Sequence, residues 1–126
     1  LAAGHLTRPT WHTDTHRSKT DRVAMGKYDR TESQDMQIVS RVAALAKQYG
    51  VNMQQIALAW HWAKGVASPI VGATKSYYLD DTVNALSIKL TDAGLAYLEE
   101  LYVPHRIIGA IDHNPADGVM LLDEKK

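Results

Sequence analysis

The stretch SPIVGATKSYYLDD, residues 68–81, decides the reading of the fold. A short apolar run, Pro69-Ile70-Val71, stops at Gly72-Ala73-Thr74, and a helical pattern begins at once near Ser76. Pro69 fits the first position of a strand, because that first amide need not join a ladder. The run has no polar alternation, the pattern of a strand buried on both faces of a parallel sheet. Small and hydroxyl residues between a strand and a helix N-terminus form a place where phosphate can bind, since the first helical amides have no intrahelical partner.

Working outward, the helices are legible from spacing. Thr31 and Gln34 have the separation of a capping box, and Ile38, Val42, Leu45 and Tyr49 then share one face up to Gly50, a C-terminal stop. Asn52 and Gln55 repeat the capping spacing ahead of the stripe Ile56, Ala59, Trp60, Ala63, which ends at Lys64-Gly65. Beyond residue 76, Leu79, Val83 and Leu86 are expected on an inner face. A fourth helix is expected from Thr91, with Leu95, Leu98, Leu101 and Tyr102 on one side and Pro104 just past its end. Residues 1–30 are polar, Thr-rich and without period, and a loop of that length is often a lid or binding loop. One strand cannot be a sheet. A strand buried on both faces needs parallel neighbours, so the pattern reads as a piece of a larger α/β protein.

Composition excludes several classes. The 126 residues suffice for one domain with a core, and 45% apolar with 22% charged residues is ordinary for a globular protein. Fourteen basic residues balance fourteen acidic ones, which argues against a general nucleic-acid binder. The charge is nevertheless segregated. Residues 7–30 hold six basic and three acidic side chains, net +3, whereas residues 91–126 hold seven acidic and three basic, net −4. A basic loop of this kind is either simply solvated or meets an anion. There is no cysteine, hence no disulfide framework or thiolate metal site. No apolar run approaches the roughly 18 residues of a membrane span. With no signal peptide visible, a cytoplasmic, reducing setting is the default expectation. The first residue is Leu1 rather than methionine, which reads as processing or as a piece of a longer chain.

The segments LAAGHLTRP, GKYD, QIALAWHWAKGVASPIVGATKSYYLDD and LTDAGLAYLEELYVPH, in this order and with these gaps, resemble the C-terminal part of the aldo-keto reductases, with the nearest likeness to their fungal aryl-alcohol dehydrogenase-like branch. The resemblance covers residues 1–110 as a partial reductase domain and leaves 111–126 as a tail. It implies a (β/α)8 barrel that binds NADP(H), of which this chain would hold the end of strand seven, the helices after it, strand eight at 69–72, the helix at 76–86 and an extra helix at 91–102. In such barrels phosphate often sits at the loops after strands seven and eight. Carried over position by position, Leu1, Ala2, Ala3 and Gly4 resemble the loop around the pyrophosphate. Arg17 resembles the arginine on the adenosine 2′-phosphate, where a planar guanidinium gives paired hydrogen bonds. Gly72, Thr74 and Lys75 resemble the strand-eight end that meets the same phosphate. Tyr78 and Asp81 stand where the family often has Gln and an acid near the adenine; Tyr78 departs from that Gln, and Thr82 stands where many relatives have Asn.

The family's chemistry uses an Asp, a Tyr proton donor, a Lys that lowers its pKa, and a His, all on the first half of the barrel. None can be assigned in this chain, so no catalytic residue is expected here. The implied whole is an oxidoreductase that interconverts small aldehydes or ketones and alcohols. The rival reading is a non-catalytic remnant, a helical scaffold or partner-binding piece, whose unpaired strand edges would invite self-association. His12, Asp14 and His16 could ligate a metal, but a zinc site wants three or four fixed ligands, and solvated histidines are the simpler reading. His61, His105 and His113 fall in no nucleophilic arrangement. Adjacent Glu99 and Glu100 diverge on a helix and make no catalytic pair.

Overall fold

A computed structural model describes residues 1–11, 20, 27–28 and 31–104. Among them the regular structure is helical: α1 is Glu32–Tyr49, α2 Met53–Ala63, α3 Ser76–Asn84 and α4 Asp92–Glu99, with single 3-10 turns at Ala2–Gly4 and Ala85–Ser87. Arg17, the His12/Asp14/His16 group, His105, His113 and the tail 111–126 lie outside the described residues.

The helix ends follow from capping chemistry, with one correction. α2 begins with the expected capping box. The Gln55 amide donates to Asn52 Oδ1 at 3.0 Å, and the Asn52 amide donates to Gln55 Oε1 at 3.1 Å. α1 ends at Gly50, whose φ of 66° is the left-handed conformation glycine adopts without a Cβ penalty. α4 begins at Thr91, whose hydroxyl accepts from the Gly94 amide at 3.1 Å. The box expected at Thr31 and Gln34 does not form. The Thr31 hydroxyl lies between the Tyr28 carbonyl and the Asp35 carboxylate, and Gln34 Nε2 donates to the Val103 carbonyl at 3.1 Å. That bond ties the start of α1 to the chain beyond α4, a partner local spacing could not reveal.

α2 is the central element. Met53, Gln55, Ile56, Ala57, Leu58 and Ala59 are all buried, so the helix is enclosed almost all round rather than along the single expected stripe; Ala63 is exposed. α2 packs on α1 on one side and on α3 and the 85–87 turn on the other, and α1 packs in turn on α4. Being covered from two sides, α1 buries Val39, Val42, Leu45 and Ala46. The expected Ile38 and Tyr49 sit half-buried at the edge. Ile56, Leu58 and Val39 are fully enclosed, each contributing about 1.5–3 kcal/mol through removal of its side chain from water. Arg41 clasps α4: Nη1 donates to the Tyr97 carbonyl, bonds Glu100 Oε2 at 2.7 Å, and the guanidinium lies 4.4 Å from the centre of the Tyr97 ring. Of the expected α4 face, Leu98 is buried, Leu95 and Leu101 are half-buried and Tyr102 is exposed.

Two expectations are not met among the described residues. Pro69–Val71, read as a strand whose parallel neighbours this chain does not supply, pairs into no sheet, and Ile70 is 95% exposed. A strand exists only through a neighbour's hydrogen bonds, and no strand occurs among the described residues. The expected inner face of α3 is exposed as well, Leu79 at 52%, Val83 at 64% and Leu86 at 57%. α3 instead docks through polar bonds from the first turn of α2. Gln54 Nε2 donates to Thr82 Oγ1 at 2.9 Å and to the Tyr78 carbonyl at 3.3 Å, and Gln55 Nε2 donates to the Asp81 carbonyl at 3.1 Å. Only Ala85, just past α3, is fully buried on that side.

Candidate functional site

The turn into α3 is open. Gly72, Ala73, Thr74 and Lys75 are all exposed. A Cβ built on Gly72 meets nothing within 4 Å among the described residues, and its φ is not in the left-handed region, so none of those residues requires glycine there. Lys75 is the N-cap of α3 in extended conformation, and no side chain caps the first turn. The leading amides of α3 therefore face outward without a capping group, the arrangement that favours an anion. Lys75 Nζ lies 5.7 Å from the centre of the Tyr77 ring, and the Tyr77 and Tyr78 rings are 4.4 Å apart with planes tilted by 47°. Pairing with the Tyr78 hydroxyl, and secondarily the charge of Lys75, lowers the Tyr77 phenol from its ordinary value against a desolvation that raises it. The Tyr78 phenol is raised by the same pairing and by the charge of Tyr77. Asp81 is half-buried one helical turn from Tyr77.

The first residues form a second feature. Ala2 and Ala3 are left-handed, with φ of 50° and 52°, and Gly4 has φ 93°. Holding an alanine in this region costs about 1–2 kcal/mol, so the turn needs support. His5 Nδ1 donates to the Ala2 carbonyl, the Thr7 hydroxyl donates to the Gly4 carbonyl at 2.8 Å, and Trp11 Nε1 donates to the His5 carbonyl at 3.1 Å. The φ of 93° favours glycine at position 4, whereas a Cβ there would come 3.3 Å from Arg8 Nη2, the far end of a flexible side chain that can shift. Buried His5 stacks edge-on against Trp11 at 4.4 Å and tilted against Tyr28 at 4.6 Å. Ala2 helps to line a cavity of about 720 Å³ between this turn and α1, α2 and α4. Leu1 and Gly4 are half-buried and Ala3 is exposed.

Spacing gave only part of one polar cluster. Trp60 Nε1 donates to Glu99 Oε1 at 2.7 Å, and Lys64 Nζ lies 3.1 Å from the same oxygen and 3.2 Å from Oε2. The Trp60 bond first, then Lys64, holds the Glu99 carboxyl below its ordinary value, although partial desolvation opposes them. The i, i+4 separation of Trp60 and Lys64 was the available signal; that Glu99 arrives between them is a tertiary fact. Among the described residues no group of three or more His, Asp or Glu is placed to hold a metal, and no helix is long and apolar enough to cross a membrane.

Comparison with known proteins places the chain in a class. The model of the aldo/keto reductase family matches residues 1–103, and the chain belongs to that family. It is 36% identical over 108 residues to versiconal hemiacetal acetate reductase of Aspergillus parasiticus, spanning 85% of this chain and 32% of that protein. It is 42% identical over 115 residues to putative aryl-alcohol dehydrogenase C977.14c of Schizosaccharomyces pombe (88% and 31%), and 36% identical over 106 residues to putative aryl-alcohol dehydrogenase AAD16 of Saccharomyces cerevisiae (83% and 30%). The chain thus spans about a third of the length of the curated relatives it matches. No solved structure matches it. Family membership implies part of a (β/α)8 barrel, and the helical layer described above is consistent with one.

Proposed function

We propose that this chain is the cofactor-gripping C-terminal part of an NADP(H)-dependent, cytoplasmic oxidoreductase that interconverts carbonyls and alcohols, aryl alcohols among them. The match of residues 1–103 to the aldo/keto reductase family carries this reading. The exposed, uncapped turn from Gly72 to Ser76 supports it, because a phosphate can reach the amides of α3, the Thr74 hydroxyl and the Lys75 ammonium without displacing a side chain. Tyr78 and Asp81 would meet the adenine end, Leu1–Gly4 the pyrophosphate, and Arg17 the 2′-phosphate. The cofactor, when bound, supplies the hydride. These residues bind and orient it, and in this reading they perform no proton transfer. The reacting carbonyl or alcohol would be handled by parts of the barrel that this chain does not contain.

Titration of the tryptophan fluorescence with NADPH and with NADH tests the assignment. Stronger quenching by NADPH is expected, reduced toward the NADH response in Arg17→Ala and weakened for both cofactors in Lys75→Glu. Equal responses to the two cofactors would remove Arg17 from the site. The chain alone is expected to show no carbonyl reduction, and measured turnover would contradict the division of labour. A second reading, a non-catalytic piece that associates through its apolar surface, draws on the exposure of Ile70, Leu79, Val83 and Leu86. Concentration-dependent association without any cofactor response would favour it.

A further inference from the structure

Three of the hydrogen bonds around α3 close a triangle. Gln54 Nε2 donates to Thr82 Oγ1 at 2.9 Å and to the Tyr78 carbonyl at 3.3 Å, and the Thr82 hydroxyl donates to the same carbonyl at 2.8 Å. Donor and acceptor chemistry fixes the direction of each bond. The carbonyl can only accept, so it takes the hydroxyl hydrogen of Thr82, and the Thr82 oxygen is left to accept. Both groups facing Gln54 therefore call for a hydrogen, and its NH2 supplies one to each. The triangle matters because of how α3 is held. Among the described residues the apolar side chains Leu79 and Val83 are exposed, so polar bonds from Gln54 and Gln55 carry the docking of α3, together with Ala85 just past its end. A helix held at one turn by polar bonds, rather than along a buried face, pivots about that turn when a bond is lost. What such a pivot moves is the helix start, the uncapped turn at Lys75 and Ser76.

We propose that Gln54 and Thr82 act as a pair of positioning residues for the dinucleotide, fixing the angle at which α3 presents its leading amides, Tyr78 and Asp81 to a bound cofactor. The proposal rests on the cofactor reading above and adds two residues that act through α3 rather than by touching the ligand. With the pair broken, only a fraction of molecules hold the competent angle, and apparent affinity falls by that fraction. Titration of the full 126-residue chain with NADPH, followed by tryptophan fluorescence, tests it. Gln54→Met keeps the volume and removes the NH2, and Thr82→Val keeps the shape and removes the hydroxyl. Each should weaken NADPH about fivefold, the equivalent of about 1 kcal/mol. The double variant should fall within about twofold of the weaker single, because the two side chains work as one unit. Thr82→Ser, which retains the hydroxyl, should bind as the parent does. Urea midpoints measured in parallel separate this from a merely structural role, which would lower the midpoint and leave the NADPH affinity of the folded chain unchanged. Parent affinity in Gln54→Met and Thr82→Val, additive losses in the double variant, or a loss in Thr82→Ser equal to that in Thr82→Val each overturns the inference. If Lys75→Glu still weakens NADPH in that case, the cofactor reading stands without it. No saturable NADPH response in the parent overturns both. Should Gln54→Met fail to fold, the comparison of Thr82→Val with Thr82→Ser decides, since it leaves α2 unchanged.

Discussion

Gln55 joins two parts of the fold, and removing its amide has a consequence that can be worked through. The side chain is only 7% exposed. Its oxygen accepts from the Asn52 amide and its nitrogen donates to the Asp81 carbonyl, so one residue both closes the first turn of α2 and holds α3 in place. Gln55→Met keeps the volume and deletes both bonds. Each is worth about 1 kcal/mol net, and burial limits how well water can replace them, so about 2 kcal/mol of destabilisation is expected. Gln55→Ala adds a small cavity and should cost about 3 kcal/mol. Asn52→Ala removes the other half of the capping box, but position 52 is exposed, and about 1 kcal/mol is expected. Urea unfolding followed by far-UV circular dichroism gives all three values, with the urea dependence unchanged if the loss is one of stability alone. Hydrogen exchange adds the location: α3 amides should lose protection in Gln55→Met before α1 amides do. A Met variant within about 0.5 kcal/mol of the parent would refute the reasoning, since it would mean that the two buried bonds contribute nothing the unfolded chain does not find in water.

Two other perturbations follow from the same packing. Because Trp60 and Lys64 depress the Glu99 carboxyl, its contribution to stability is complete above the ordinary carboxylate value of 4.5 and is lost as pH falls below that, through the lowered folded value. Unfolding midpoints measured from pH 6 to pH 3 should therefore drop more steeply for the parent than for Glu99→Gln, and parallel curves would contradict the assignment. Ile56→Ala, at a position with no exposure in the centre of α2, should cost about 2–5 kcal/mol, readable as a lowered urea midpoint, and a loss below 1 kcal/mol would mean that α2 is not the core element described here.

Sequence alone determined three helix ends from local signals, although the equally local Thr31/Gln34 box did not form. The Asn52/Gln55 box, the stop at Gly50 and the helix start at Thr91 each depend on residues within four positions of one another, and each stands where it was read. Sequence alone also carried the family, because ordered motifs over residues 1–110 outlast the loss of any one of them. Tertiary structure decided which faces are buried and which polar groups meet. Gln34 left its expected capping role for Val103, Glu99 came to rest between Trp60 and Lys64, and the amides of Gln54 and Gln55 drew α3 in, leaving Leu79 and Val83 exposed. An apolar spacing states that a face can be buried, not what will cover it. The strand at Pro69–Val71 is the clearest instance, since its hydrogen bonds belong to a neighbour and no residue inside the segment can supply them.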